Sequence, residues 1–311
     1  MSETVPKPKP KRAPKPKRPA HLPHGRWLGD LGDLSPFEKR LVAACARGEV
    51  CAPDNWDDKR PEADAATEAN TIRAELIRFL ALGGDSENPV HEEGVMLCGG
   101  CIEGEFNLHQ AKAAVQLDLS FCHFDSEPVF TAASLPQLAL ISSKVPGLQA
   151  DGMVVKGDVF LREGFESSGE VRLLGAQIDG DLSCVNSKFS NPDGEALNAD
   201  RMVVKGGVFL REDFAASGEV RLMGARIDGA LYCRKGKFSN PKGRALSAVG
   251  MVAKGGVNLS YARFEGAIDL TTARIGTLVD DITCWQSGRH LLDGLHYDRI
   301  IGPTDATMRI G

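Results

Sequence analysis

Apolar residues between positions 93 and 277 recur in pairs with one polar residue between them, and glycine often follows a pair. Copies of the pattern Gly-x-Val-x-Leu-x-Gly-Ala-x-Ile-x begin at Gly169 and Gly218. Alternation with a period of two predicts short strands that face the core with every second side chain, while glycine permits sharp bends between them. The pattern therefore predicts an all-β solenoid over residues 93–277, built from an 11-residue repeat.

The repeat also predicts the cross-section of the solenoid. Each unit supplies two short sides, so two units, which together span ~22 residues, close a four-sided coil that rises ~4.8 Å. About sixteen units predict about eight coils. A longer period of 49 residues overlies the repeat, with one extra residue near Phe165 or Phe214 and a four-residue insertion near Asn191 or Asn240. These added residues predict a ledge on one half of the coil.

Residues 27–92 follow a helical pattern instead. A Ser-Pro-Phe-Glu capping box begins at Ser35, and Gly48 predicts the end of the helix that the box starts. A second helix is predicted from about Pro61 to Leu82, because its apolar residues fall on one stripe. The first coil of a solenoid needs a cover, so residues 27–92 predict a helical N-terminal cap. Residues 278–311 are interpreted as a C-terminal cap or a truncated extension.

The first 26 residues alternate proline with lysine or arginine and carry a net charge of +7, whereas residues 27–92 carry −7. Such a segment cannot bury apolar surface, and residues 1–26 are predicted to be a disordered tail. The tail is interpreted either as a solubilising segment or as a basic arm that contacts nucleic acid or an anionic membrane. The basic residues of that arm are Lys7, Lys9, Lys11, Arg12, Lys15, Lys17 and Arg18.

Composition, the apolar segments and the cysteines indicate the cellular compartment of the protein. The chain is 42% hydrophobic but 6% aromatic, and its 34 glycines suit tight turns around a core of small and aliphatic side chains. No stretch reaches the ~18 apolar residues of a membrane span, and the N-terminus has no apolar signal-peptide core. Eight cysteines without regular spacing fit a reducing compartment. We expect a cytoplasmic protein, with peripheral membrane contact as an alternative.

Motifs for chemistry are sparse. The sequence has no nucleophile elbow, phosphate-binding loop or dinucleotide fingerprint, so no catalytic residue, metal site or cofactor is predicted. Cys98 and Cys101 form the one CxxC motif, which a disulfide oxidoreductase places at a helix N-terminus. The repeat places this motif at a corner of the solenoid instead, with Leu97 and Ile102 facing inward. Incidental thiols are therefore the favoured interpretation, and a redox pair is the alternative.

Two histidines of the solenoid, His109 and His123, fall on outward positions and are interpreted as surface polar residues. The cysteines at inward positions, Cys122, Cys184 and Cys233, are interpreted as small core residues.

Outward residues of successive coils stack into rows, and two rows stand out. The residue before each joint glycine alternates in charge, which predicts a stabilising ladder of Lys156, Asp179, Lys205, Asp228 and Lys254. The outward residue of the next side is aromatic at Phe160, Phe209 and Tyr232. These rings predict either a partner-binding row or a cover for a neighbouring loop or side chain.

Small residues that precede a large inward residue by two positions, such as Ala176 before Ile178 and Ala225 before Ile227, resemble pentapeptide-repeat proteins. The resemblance implies a right-handed quadrilateral parallel β-helix. The segment IRAELIRFLALGG, followed by GARIDG-type repeats, resembles a group of bacterial pentapeptide-like proteins, some of which are labelled membrane-associated oxidoreductases. That label implies a redox centre at a membrane.

The leading hypothesis is a non-enzymatic scaffold that binds a protein partner along its outward rows. A membrane-associated redox protein that uses Cys98 and Cys101 is the first alternative. DNA mimicry, known among pentapeptide-repeat proteins, is the second alternative. It needs an acidic face, whereas residues 93–277 carry a net charge of only −3. The identity of the partner and self-association of the chain stay open.

Overall fold

The structure is a computed structural model that describes Pro23, residues 25–286 and residues 290–302. Parallel strands pair coil on coil to form a solenoid of about nine turns, against the predicted eight. Leu138, Val159 and Leu182 are successive Cα partners on one face, and they lie about one coil apart in sequence. The predicted all-β solenoid is confirmed, and it is consistent with a pentapeptide-repeat-like fold.

Four columns of strands form the four faces. Face 1 contains Val95–Cys98, Leu117–Ser120, Leu138–Ala139, Val159–Phe160, Leu182–Ser183, Val208–Phe209, Ala230–Tyr232 and Gly256–Asn258. Face 2 contains Thr71–Arg73, Cys101–Glu103, His123–Phe124, Lys144–Val145 and Glu166–Ser167. Face 3 contains Leu148–Gln149 and Val171–Arg172, and face 4 contains Ser134–Leu135, Val154–Val155, Gln177–Ile178, Val203–Val204, Arg226–Ile227 and Val252–Ala253.

Longer strands run through corners. Those that join face 2 to face 3 are Lys188–Asn198, Ala215–Arg221, Lys237–Ser247 and Arg263–Asp269. Those that join face 4 to face 1 are Arg274–Val279 and His296–Ile301. Short 3-10 helices cover Leu28–Leu31, Ala63–Ala65 and Ile282–Trp285.

Two α-helices lie at the N-terminal end. The capping box is confirmed: Ser35 and Glu38 exchange hydrogen bonds at the start of α1 (Pro36–Arg47), which ends at Gly48 in the left-handed conformation. Within the described part of the chain, neither helix is long and apolar enough to cross a membrane.

The predicted extent of the second helix is wrong, since α2 covers only Ala74–Ala81. The residues just before it, Thr71–Arg73, pair as a parallel strand with Cys101–Glu103. This pairing buries Ile72 completely against the solenoid core, so the chain is extended until Arg73.

The glycines between faces 4 and 1 allow successive coils to pack closely, whereas the sequence predicted that they permit sharp bends. The N–H of Gly206 donates to the carbonyl of Gly180, and the N–H of Gly229 donates to that of Gly206, both at 2.9 Å. A Cβ on Gly206 would lie 2.7 Å from the Gly180 oxygen, and one on Gly229 would lie 2.6 Å from the Gly206 oxygen. Close approach of stacked backbones, not positive φ, therefore requires glycine in this column.

The bends between faces 1 and 2 use backbone with positive φ, and non-glycine residues make most of them. Gly99 makes the bend of the first coil, and the non-glycine residues that follow it at this corner are Phe121, Ser142, Glu163, Asn186, Glu212, Lys235 and Tyr261. In the coils with one extra residue, a second left-handed residue follows, Gly164 or Asp213. The four-residue insertions lie at the next corner, where register shifts follow Ser190 and Ser239. Both kinds of added residue thus flank face 2.

Phenylalanine rings stack along the core beside face 2 with centroids 4.7–5.5 Å apart, in the order Phe165, Phe189, Phe214, Phe238 and Phe264. The 49-residue period sets where each ring is attached. Coils with one extra residue place the ring before a small inward residue, as in Phe165 and Ser167. The next coil reverses the order, as in Ser187 and Phe189, so large and small side chains interlock.

We predict that Gly229→Ala destabilises the fold by about 1–3 kcal/mol, because the added methyl group overlaps the backbone of the previous coil and no side chain can move aside to relieve it. Gly175→Asn is the control: Gly175 has a φ of +65°, and a Cβ added there would meet no described atom within 4 Å. Asparagine tolerates that backbone conformation. Denaturant unfolding midpoints measure both. Equal midpoints for the two variants would contradict the close-approach explanation.

Candidate functional site

Cys98 and Cys101 lie on either side of the first corner, on faces 1 and 2, while Leu97 and Ile102 face the core. Both thiols are free. Burial raises the pKa of each to about 11, with further contributions from Asp118 at Cys98 and Glu103 at Cys101. Since the thiolate is the reactive species, this environment disfavours redox chemistry at neutral pH.

The other cysteines are buried, and Cys122, Cys184 and Cys233 face the core as expected. Across the residues that the structure describes, histidine, cysteine and acidic side chains form no group of three or more suited to a metal ion. His109 is exposed, whereas His123 lies in a cleft on face 2.

The charge ladder lies at the edge of face 4. Asp179 accepts from the ammonium groups of Lys156 at 3.3 Å and Lys205 at 2.8 Å, and Asp228 lies 2.7 Å from the ammonium group of Lys254. The hydrogen bonds from Lys205 and Lys156 lower the pKa of Asp179. The lysines are well exposed, so each pair contributes little to the stability of the fold.

The aromatic row lies on face 1, where the strand pairing aligns Phe160, Ser183, Phe209 and Tyr232 on successive coils. The rings of Phe209 and Tyr232 stack with centroids 4.9 Å apart and planes 5° apart. All three rings are half-buried. Phe209 and Tyr232 therefore form a stacked pair, and Ser183 separates this pair from Phe160.

Arginines cover these rings, which the sequence interpretation missed. The guanidinium of Arg162 lies 4.4 Å from the centroid of Phe160, and that of Arg211 lies 5.2 Å from Phe209 and 5.8 Å from Tyr232. Each arginine stands two positions after an aromatic residue, so the recurrence of Phe-Leu-Arg-Glu at period 49 was the available signal.

The same arrangement continues towards the C-terminus. The guanidinium of Arg234 lies 5.9 Å from the ring of Tyr261, which is 60% exposed. We call the surface formed by these side chains the Arg-aromatic face, and it comprises Phe160, Arg162, Phe209, Arg211, Tyr232, Arg234 and Tyr261.

The arginines of this face differ in their partners. Arg234 pairs with Glu212 at 3.1 Å, and Lys235 approaches the same carboxylate at 3.3 Å. For Arg162 and Arg211, by contrast, the described residues supply no ion pair, and the Nε atom of each is buried without a hydrogen-bond partner. Two cations are therefore oriented by aromatic rings but not neutralised.

Residues 52–66, which we call the strap, run along the corner between faces 1 and 2. The Trp56 ring packs edge-on against Phe121 with centroids 5.3 Å apart. Arg60 donates to the carbonyls of Ser142 at 3.0 Å and Gly164 at 3.1 Å, and its guanidinium lies 3.1 Å from the Glu166 carboxylate. The strap therefore fastens to successive coils and ends its contacts near the start of the Arg-aromatic face.

The basic arm predicted from Lys7 to Arg18 lies outside the described residues. The chain matches no protein-family model, no curated protein and no solved structure. Its function must therefore be inferred from its own geometry.

We predict that Cys98 and Cys101 react slowly with a thiol reagent at pH 7 and accelerate as the pH approaches about 11, where the thiolates form. The unfolded chain is the control, because its thiols return to a pKa of ~8.5. Fast reaction of the folded chain at pH 7 that disappears in a Cys98→Ser, Cys101→Ser double variant would instead favour a redox pair.

We also predict that Arg60→Ala destabilises the strap by about 1.5–3 kcal/mol, since it removes hydrogen bonds from a charged donor. Amide hydrogen exchange should accelerate across residues 52–66 and stay unchanged in the later coils. Lys59→Ala provides the control, because the Lys59 side chain is exposed and pairs only with the nearby Asp57 among the described residues. Unchanged exchange in Arg60→Ala would show that other contacts hold the strap.

Proposed function

We propose that the chain is a non-enzymatic scaffold that binds a protein partner through the Arg-aromatic face. The observation that carries the proposal is the pair of guanidinium groups, Arg162 and Arg211, that lie over aromatic rings without an acid partner among the described residues. Arginine and aromatic side chains dominate binding energy at protein interfaces. Here the two residue types are already assembled on one surface.

Rigidity supports the same function. Strand pairing aligns Phe209 and Tyr232, and Arg162 and Arg211 pack over the rings of this face, so these side chains lose little conformational freedom when a partner binds. A preorganised surface gives more net affinity per contact than a flexible one.

Charge indicates the kind of segment that fits. Arg162 and Arg211 stand two coils apart, and this corresponds to ~10 Å at the spacing of parallel strands. A partner that places carboxylates at this separation can neutralise both guanidinium groups, while its apolar atoms cover the rings. An acidic stretch of a partner protein is therefore the proposed ligand of this face.

The remaining alternatives receive less support from the geometry. A redox function needs reactive thiolates, and burial raises the pKa of Cys98 and Cys101 to about 11. DNA mimicry needs a continuous acidic face, whereas face 1 carries unpaired arginines.

Membership of the pentapeptide-repeat-like group is part of the proposal, as is a reducing cytoplasmic compartment that suits eight free cysteines.

The test replaces the rings in a Phe160→Ser, Phe209→Ser, Tyr232→Ser triple variant. The control is a Lys156→Ser, Lys205→Ser, Lys254→Ser variant of the charge ladder, which changes three exposed side chains on a neighbouring surface. Proteins crosslinked to the wild-type chain in extract of its source cell are identified, and the affinity of each for the three forms is measured. We predict a loss of at least about tenfold for the ring variant alone.

A folding control accompanies this test. The ring variant should keep the circular dichroism spectrum and a cooperative unfolding transition, because its three side chains face outward. Equal affinity of the partner for the wild-type chain and the ring variant would overturn the proposal. Loss of the fold in the ring variant would show that the rings serve the core, and an Arg162→Gln, Arg211→Gln variant then decides whether this face binds.

A further inference from the structure

A cleft of about 440 Å³ lies between face 2 and the end of the strap, at Ala63 and Ala66. Its floor is made by the outward side of three successive coils, which contribute Cys101, His123 and Lys144. Its volume lies within the range of small-molecule sites. The cleft is separate from the Arg-aromatic face, which lies on face 1 and at its corner with face 2.

Two polar side chains in the cleft lack partners within the described chain. The Nδ1 atom of His123 is buried and makes no hydrogen bond. Lys144, on the next coil, is half-buried, and no ion pair neutralises its ammonium group in the described part of the chain. Buried polar atoms of folded proteins are normally hydrogen-bonded, so the Nδ1 atom of His123 and the ammonium group of Lys144 are positions at which acceptor atoms of a ligand can bind.

Charged groups of both signs surround His123. Burial lowers the pKa of His123, and the cations Lys144 and Arg60 lower it further, which outweighs the opposing effects of Glu62 and Asp125. Both carboxylate oxygens of Asp125 accept from the Gly104 N–H at 3.1 Å.

Two other titratable groups border the cleft. Glu103 lies at its rim and is exposed. Burial raises the pKa of Cys101 to about 11, so this thiol is neutral at pH 7.

We propose that this cleft binds the oxyanion group of a small ligand, a carboxylate or a phosphate, between Lys144 and His123. Lys144 supplies the positive charge, and the imidazolium of His123 donates through Nδ1. Pro146, Ala63 and Ala66 offer apolar contacts for the body of the ligand. Because the anion stabilises the imidazolium, binding strengthens as the pH falls through the pKa of His123.

Sulfate and acetate are the probes, since neither titrates near neutral pH and they represent the tetrahedral and planar oxyanions. Each is added at constant ionic strength while NMR follows the imidazole resonances of His123, which a His123→Asn variant identifies. We expect a saturable change in these resonances and a rise of the His123 pKa. Preference for sulfate would indicate a phosphate ligand, and preference for acetate a carboxylate.

Lys144→Gln should weaken binding about tenfold, the loss of a hydrogen bond from a charged group. Lys188→Gln is the matched control, because Lys188 stands in the same outward row two coils further along and does not line the cleft. An equal loss in both variants would show general screening and overturn the proposal. A change in the His123 resonances that does not saturate with either anion would overturn the proposal as well.

Discussion

Parallel hydrogen bonding between successive coils is the constraint on which the structure depends. It aligns each residue with its equivalent one coil away, at a separation of ~4.8 Å. Any side chain must therefore be compatible with the same position on both neighbouring coils. Glycine recurs between faces 4 and 1 because the stacked carbonyls leave no room for a Cβ. The phenylalanines inside the core obey the same constraint in two ways: Phe165, Phe189, Phe214 and Phe238 alternate in position with small residues, whereas Phe238 and Phe264 occupy the same position on adjacent coils and stack 4.7 Å apart.

This alignment explains how much could be predicted. A repeat with period-two alternation determines which residues face inward and which stack, so the solenoid and the pairing of Lys156 and Lys205 with Asp179 follow from the register alone. The second helix could not be delimited in this way. The stripe that begins at Ile72 fits a helix, but pairing of Ile72 with Ile102 competes with helical hydrogen bonding and prevails.

The aromatic row of the candidate site could be predicted from the sequence, but the arginines over it and their ion pairs could not. The ion pairs depend on which acidic side chains reach which arginines in the folded chain. Glu163 and Glu212 each follow an arginine of a repeated Phe-Leu-Arg-Glu segment. Yet Glu212 pairs with Arg234 and Lys235 of the next coil rather than with its sequence neighbour. Adjacency in sequence is a poor guide where the corner residues take the left-handed conformation and redirect the chain. The unpaired state of Arg211 is consequently a property of the coils, not of the motif.

The strap shows what kind of contact this solenoid supports on its outer surface. It places an aromatic ring against Phe121 and an arginine on the carbonyls of two further coils. Its contacts end near Gly164, where the corner becomes open and the rings and arginines of face 1 begin. The first coils are thus occupied by the chain's own segment, and the later coils carry the complementary groups themselves. A partner that follows the axis beyond the strap would meet cations instead of supplying them, and this agrees with the acidic segment that we propose as its ligand.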